Sequence, residues 1–260
     1  MKSVVRVFAM VLLSGVALQL YFAARVALMA VVDPQSTTFQ RSEIWRLVSG
    51  KRALVWHQQW TPYAHISPNL KRAVIASEDT GFAAHGGVEW DALEKAWGRH
   101  QRAESRVDEI TAGFGTRDGS SARDKTVAVA RAAGGRPPRV VGGSTITQQL
   151  AKNLFLAGER NGSRKAQEFT ITLMLEACLS KQRILEIYLN NVEWGEGVFG
   201  AEAAARRYFR VDASGLAATQ AAQLAVMLPA PKRFEKRPAS LYVLGRAATI
   251  GARMSAVALP

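Results

Sequence analysis

The chain has 260 residues, 48% hydrophobic and 8% aromatic, enough to build a packed core and too many for a disordered chain. That length accommodates one substantial domain with a small appendage and excludes an array of large domains. Thirty-four basic against 21 acidic residues leave a net charge of +13, which points to an anionic partner without choosing among nucleic acid, anionic lipid and a phosphorylated substrate.

Lys2 and Arg6 precede an uncharged stretch over residues 7–24, and apolar residues resume over 26–32 around a lone Arg25. This is long enough to cross a hydrocarbon core of about 30 Å. Arg25 falls where a tilted helix snorkels it to the far interface. Cations ahead of the span keep the N-terminus in the cytoplasm and send the remainder outside. A cleaved signal peptide competes, but Ala27-Leu28-Met29-Ala30 matches its small-residue cleavage site only loosely, and the apolar stretch exceeds a signal core. The expectation is an uncleaved anchor over residues 1–33 and a domain over 34–260 without a further span.

Helical signals dominate after Asp33-Pro34. Ser67-Pro68 supplies an N-cap and a first-turn proline; Leu70, Ala73, Val74 and Ser77 follow at helical spacing, with Gly81 as the stop. Ser144 caps a second predicted helix through Ile146, Leu150 and Leu154, and Ser163 a third through Phe169, Ile171, Leu173 and Leu175. A fourth carries Ile184, Leu185, Ile187, Tyr188 and Leu189; residues 201–209 and 219–228 supply two more, the last stopped by Pro229 and Pro231. Leu54-Val55-Trp56 is the one modest strand candidate, so the architecture is expected to be mainly α. Residues 99–139, with their glycines, prolines, scattered arginines and few large apolar side chains, read as a flexible basic insertion. The single cysteine, Cys178, cannot form an intramolecular disulfide, and its apolar setting predicts a buried, inert thiol.

Three segments carry candidate chemistry. Glu78 falls four residues after Val74 and eight after Leu70, so an apolar stripe ends in a carboxylate, while Asp79 points about 100° away. A carboxylate on a semi-buried face near the negative end of a helix dipole has its pKa raised, which suits a general base or acid; a core-edge glutamate paired with an arginine fits the same placement. Residues 142–153, from Gly142-Gly143-Ser144-Thr145 through Gln148, Gln149, Lys152 and Asn153, are dense in hydrogen-bonding groups. Gln148 and Lys152 share one helix face and Gln149 and Asn153 the next, which fits anion binding or a solvated polar side. In Ser163-Arg164-Lys165-Ala166-Gln167-Glu168, two cations face the positive end of a helix dipole, an arrangement that a pyrophosphate would reverse in sign. A simple Arg164–Glu168 helix pair is, from these residues alone, the better explanation. The four histidines lack ligand spacing, which argues against zinc; magnesium between a carboxylate and substrate phosphates is left open.

In order, Glu78-Asp79-Thr80-Gly81-Phe82-Ala83-Ala84-His85-Gly86-Gly87, the 142–153 segment, Arg164-Lys165-Ala166-Gln167-Glu168, Lys181-Gln182-Arg183-Ile184-Leu185-Glu186-Ile187-Tyr188-Leu189-Asn190 and Gly197-Val198-Phe199-Gly200-Ala201 leading to Tyr208-Phe209 form a set. It resembles the monofunctional biosynthetic peptidoglycan transglycosylases, whose catalytic domain also occurs in class A penicillin-binding proteins. The likeness covers roughly residues 34–240, including Gln40-Arg41-Ser42-Glu43-Ile44-Trp45 and Ile66-Ser67-Pro68-Asn69-Leu70-Lys71-Arg72-Ala73. It implies a mainly α, lysozyme-like, two-lobed domain on the membrane. The implied reaction polymerises lipid II by inverting transfer with release of undecaprenyl pyrophosphate. Glu78 matches the general base, and Glu168 the second acid near the leaving pyrophosphate, with or without a divalent cation such as Mg or Mn. Lys152, Arg164 and Lys165 fall on phosphate-stabilising positions, Gln149 and Asn153 on substrate-positioning ones, and Ser144, Thr145 and Thr147 join the substrate-binding set.

The implied partners are lipid II, the growing lipid-linked chain and the bacterial inner membrane, with other cell-wall synthesis or division proteins left open and no nucleic acid. The implied location is single-pass in that membrane with a periplasmic catalytic domain. The stretch between the first two motifs is some 20 or more residues longer than the family leads one to expect, and Gly162-Ser163 stands where bulkier residues are common. A lytic glycosidase has two acids but no need of a pyrophosphate-sized cation cluster. A basic membrane-tethered adaptor would not depend on Glu78. A bifunctional enzyme lacks room and a Ser-x-x-Lys motif.

Overall fold

The computed structural model describes residues 2–50, 55–90, 94, 144–156 and 162–260; the basic insertion expected at 99–139 lies outside them. The chain divides into two compact units, Met1–Val88 with Ser144–Pro260, and Glu89–Gly143. The helices and strands named below all belong to the first.

α1 (Lys2–Leu28) is apolar on every side and passes the length and hydropathy test for a membrane span. Only its C-terminal third packs: Gln19, Phe22, Ala23 and Arg25 are half-buried and Val26 buried, with Met29 just past the helix end also buried, at the three- and four-residue spacing of one helix face. Arg183 closes the junction, donating to the Met29 carbonyl at 2.8 Å and to Asp33 at 2.7 Å. α2 (Thr38–Ser49) starts with a capping box between Thr37 and Gln40. α3 (Pro68–Glu78) begins as its sequence dictates, with the Ser67 hydroxyl accepting from the Asn69 amide and proline in the first turn. It ends at Glu78, with Asp79 as the cap, three residues ahead of Gly81.

α4 (Ile146–Phe155) is capped by Thr145, not by the adjacent Ser144. The reason is reciprocity: Gln148, three residues on, returns its side-chain oxygen to the Thr145 amide, which completes a box that a Ser144 cap would leave open. α5 (Gly162–Cys178) takes in Ser163 as part of its first turn, so that serine is not the cap. α6 (Lys181–Asn191) is capped by Ser180. Three short strands follow the order β1-β3-β2: β1 (His57–Gln58) runs parallel to β3 (Val198–Phe199), and β2 (Glu193–Gly195) antiparallel to it with a bulge. The strand expected over 54–56 forms slightly downstream, because its pairing is with Val198 and Phe199; runs of two or three residues carry no readable alternation. α7 (Ala201–Phe209), α8 (Ala218–Met227), α9 (Pro231–Phe234) and α10 (Leu241–Met254) complete the unit.

The core has two connected parts. α3 packs on α8 and α10, burying Leu70, Ala73 and Val74; α4 packs on α2, α5 and α6, burying Ile146, Leu150 and Leu154. Each fully buried Leu or Ile contributes about 1.5–3 kcal/mol. Trp194, Tyr188, Phe82 and Phe199 are the largest side chains sealed inside. Cys178 is exposed, which corrects the expectation of a buried thiol: as the last residue of α5 it lies past the buried stripe of Ile171, Thr172 and Leu175. A partly buried ionic group joins α2, β2 and α9, where Lys232 donates to Glu43 and lies 3.4 Å from Glu193. Glu193 is 6% exposed; burial, opposed by Lys232 and reinforced by the Glu43 charge, pushes its carboxyl up to about 7.

Candidate active site

Glu78 is the last residue of α3, and its side chain is half-buried. Gln149 of α4 donates to Oε2 at 2.9 Å, and the Ser77 hydroxyl lies 3.3 Å from Oε1. The Gln149 oxygen in turn accepts from the Tyr188 hydroxyl at 3.0 Å, which fixes the amide with its NH2 toward the carboxylate. Tyr188 is 1% exposed, and burial, with the nearby Glu78 and Asp79 charges, pushes its phenol well above the usual range, so it acts as a donor. Burial also raises the Glu78 pKa; the Gln149 and Ser77 hydrogen bonds oppose this, and the Asp79 charge adds to it. The result is a carboxyl that accepts a proton more readily than a surface glutamate.

Asp79 turns away from Glu78 and does structural work. It is 5% exposed, meets His85 Nε2 at 2.7 Å, and accepts from the Ile146 amide at the start of α4 at 3.0 Å. His85 Nδ1 accepts from the Gly87 amide, so its proton sits on Nε2 and is donated to Asp79. Thr145 donates to the Gly87 carbonyl at 2.6 Å. These bonds clamp the chain after Glu78 onto the first turn of α4 and so set Gln149 against Glu78. Sequence reasoning assigned no role to His85 or Tyr188; the signal for His85 was its place in the first motif, six residues from an acid turned off the helix face.

Thr145 and Thr147 are 3% and 0% exposed, with hydroxyls spent on Gly87 and, at 2.6 Å, on Glu176. These bonds hold α4 in place, with both hydroxyls turned inward. Ser144 is half-buried and offers its carbonyl to Gln149 at 3.2 Å. Lys152 is exposed and Asn153 half-buried, one turn along α4 from Gln148 and Gln149.

α5 lies against α4 and carries the second cluster. Glu168, 3% exposed, accepts from Arg164 Nη1 at 3.3 Å and from Lys165 Nζ at 2.5 Å. Arg164 is mostly covered, whereas Lys165 remains more than half exposed. With a cation on each oxygen the buried carboxylate is neutralised, and the turn as a whole carries surplus positive charge at a helix start. This arrangement does not fit a metal: an ion would have to displace Arg164 or Lys165, and among the described residues no three His, Cys, Asp or Glu side chains gather to hold one. Two surface grooves of about 510 and 410 Å³, lined by residues such as Trp60, His65 and Arg206, share no lining residue with either cluster.

Comparison with known proteins places this pattern. Residues 50–109 and 114–255 match the family model described as transglycosylase. A biosynthetic peptidoglycan transglycosylase of Burkholderia thailandensis is 48% identical over 94% of this chain and 82% of its own length. Proteins of the same description from Burkholderia pseudomallei and Paraburkholderia xenovorans are 47% and 44% identical, over 94% and 97% of this chain and 82% and 91% of theirs. The matched residues contain Glu78, its Gln149–Tyr188 support and the Arg164-Lys165-Glu168 turn, and with them the mainly helical, lysozyme-like domain; the chain belongs to the transglycosylase family.

Proposed function

We propose that this chain polymerises lipid II into glycan strands, with residues 34–260 as the catalytic domain. The observation that carries this reading is the half-buried Glu78, its pKa raised and its face set by Gln149, on a framework whose next helix bears Arg164 and Lys165. Glu78 takes the proton from the 4-hydroxyl of an incoming lipid II sugar. The new oxygen–carbon bond forms at the anomeric carbon of the growing chain as its bond to pyrophosphate oxygen breaks, inverting that centre. The electron pair leaves with undecaprenyl pyrophosphate, whose charge is met by Arg164, Lys165 and Lys152. Glu168 holds the first two in place, and Gln149 and Asn153 orient the sugars. Ser144 contributes at the mouth of α4.

The apolar α1 anchors the enzyme in the inner membrane, its N-terminus cytoplasmic behind Lys2 and Arg6 and the catalytic domain periplasmic. The test is to give wild type and Glu78→Gln both lipid II and finished peptidoglycan. Polymer from lipid II with wild type, and a loss of at least about a hundredfold in the variant, is expected. Fragments from finished peptidoglycan, with no polymer from lipid II, would reassign the protein as a lytic enzyme.

A further inference from the structure

Within the uncharged residues 7–24 the polar side chains are Ser14, Gln19 and Tyr21. Gln19 is also where α1 first meets the rest of the protein, since the residues before it are exposed. Its Nε2 donates to the Gln167 oxygen at 2.9 Å, and the Gln167 Nε2 donates back at 3.1 Å. A lone amide in hydrocarbon is costly, and this exchange satisfies a donor and an acceptor on each partner. Apolar packing by Phe22, Ala23 and Val26 tolerates sliding; a reciprocal amide pair does not, because one residue of travel, about 1.5 Å, misaligns both bonds.

The pair joins the span to the cation-bearing turn. Gln167 precedes Glu168 and follows Arg164 and Lys165 by three and two residues. Further out along α1, Met29 and Asp33 meet Arg183, at the start of α6 just past the end of α5. α5 therefore runs beside α1 in the same sense, with its Arg164 end toward the bilayer. Arginine and lysine stems carry their charges several ångströms from the helix, up to the headgroup level.

We propose that Gln19 and Gln167 are positioning residues that fix the axial register of α5 on α1 and hold Arg164 and Lys165 at the outer-leaflet level of a polyprenyl pyrophosphate. This deepens the functional reading above and rests on it. The test compares full-length wild type, Gln19→Leu and Gln167→Leu on lipid II in liposomes and on a short-chain, water-soluble lipid II in detergent micelles. Micelle turnover is expected to stay within about twofold of wild type, while liposome turnover falls about fivefold, the scale of one interhelical polar contact.

Register is read separately through Cys178, exposed and the chain's single cysteine. Labelled there with a fluorophore, both single variants change their quenching by headgroup-nitroxide lipids. The Gln19→Leu/Gln167→Leu double variant, in which the leucines pack without direction, keeps the liposome loss. Equal losses in liposomes and micelles, unchanged quenching, or full recovery in the double variant overturns the proposal. If wild type polymerises in neither setting, the functional reading fails, and the Cys178 quenching alone still decides whether the pair sets the register.

Discussion

Replacing Glu193 with glutamine removes a carboxyl that is 6% exposed and that burial pushes up to about 7. In the unfolded chain the same group titrates near its ordinary 4.5. Below that pH both states hold the proton and the site costs nothing. Between 4.5 and about 7 the unfolded chain releases its proton first, so stability falls as pH rises, and above about 7 the full loss is present. At about 1.4 kcal/mol per pH unit the loss is about 3 kcal/mol. Glutamine escapes it. Lys232 keeps its bond to Glu43 but gives up the contact at 3.4 Å, which trims the expected gain. The net is about 2 kcal/mol, or a melting temperature about 4–8 °C higher, at roughly pH 8.5, and no difference at roughly pH 4. Circular-dichroism melts of full-length protein in detergent across that range measure it. The same shift at both ends, or a variant that melts lower at the alkaline end, refutes the reasoning.

Three further outcomes concern the site and the backbone around β1 and β3. Polymerisation by wild type should fall at acid pH along a limb lying above the ordinary carboxylate range, because a base with a raised pKa loses its free form sooner on acidification; rate against pH with lipid II reads it. Gln149→Leu removes a hydrogen bond that favours the charged carboxylate, so the same limb should move to higher pH, and an unmoved or lowered limb contradicts the assignment. Gly197→Ala should destabilise the fold by about 2 kcal/mol or more, measured by thermal melting, since its φ is +72° and a Cβ would stand 1.9 Å from the Val55 carbonyl oxygen.

Legibility in the sequence followed the range of the interactions. Ser67-Pro68 and the Leu70–Val74–Glu78 stripe are local, and they foretold both α3 and the half-buried acid at its end. The Ser144 cap was misread by one residue because both candidates are hydroxyls and only Gln148 distinguishes them. Cys178 sat in an apolar run, but periodicity does not say where a helix outruns its core. Tyr188 reaches Gln149 across 39 positions and Gln19 reaches Gln167 across 148, contacts that no spacing rule in one sequence encodes. The short strands depend wholly on such distant pairing.

The double tie between Asp79 and the Ile146 amide, and between Gly87 and Thr145, has a consequence for how the chain can evolve. It brings together the two ends of the first unit between which residues 89–143 stand in the sequence. The closure cost of an intervening segment grows by only about 0.6 kcal/mol for each doubling of its length. Residues can therefore be added or removed between those ends while Glu78 and Gln149 keep their places.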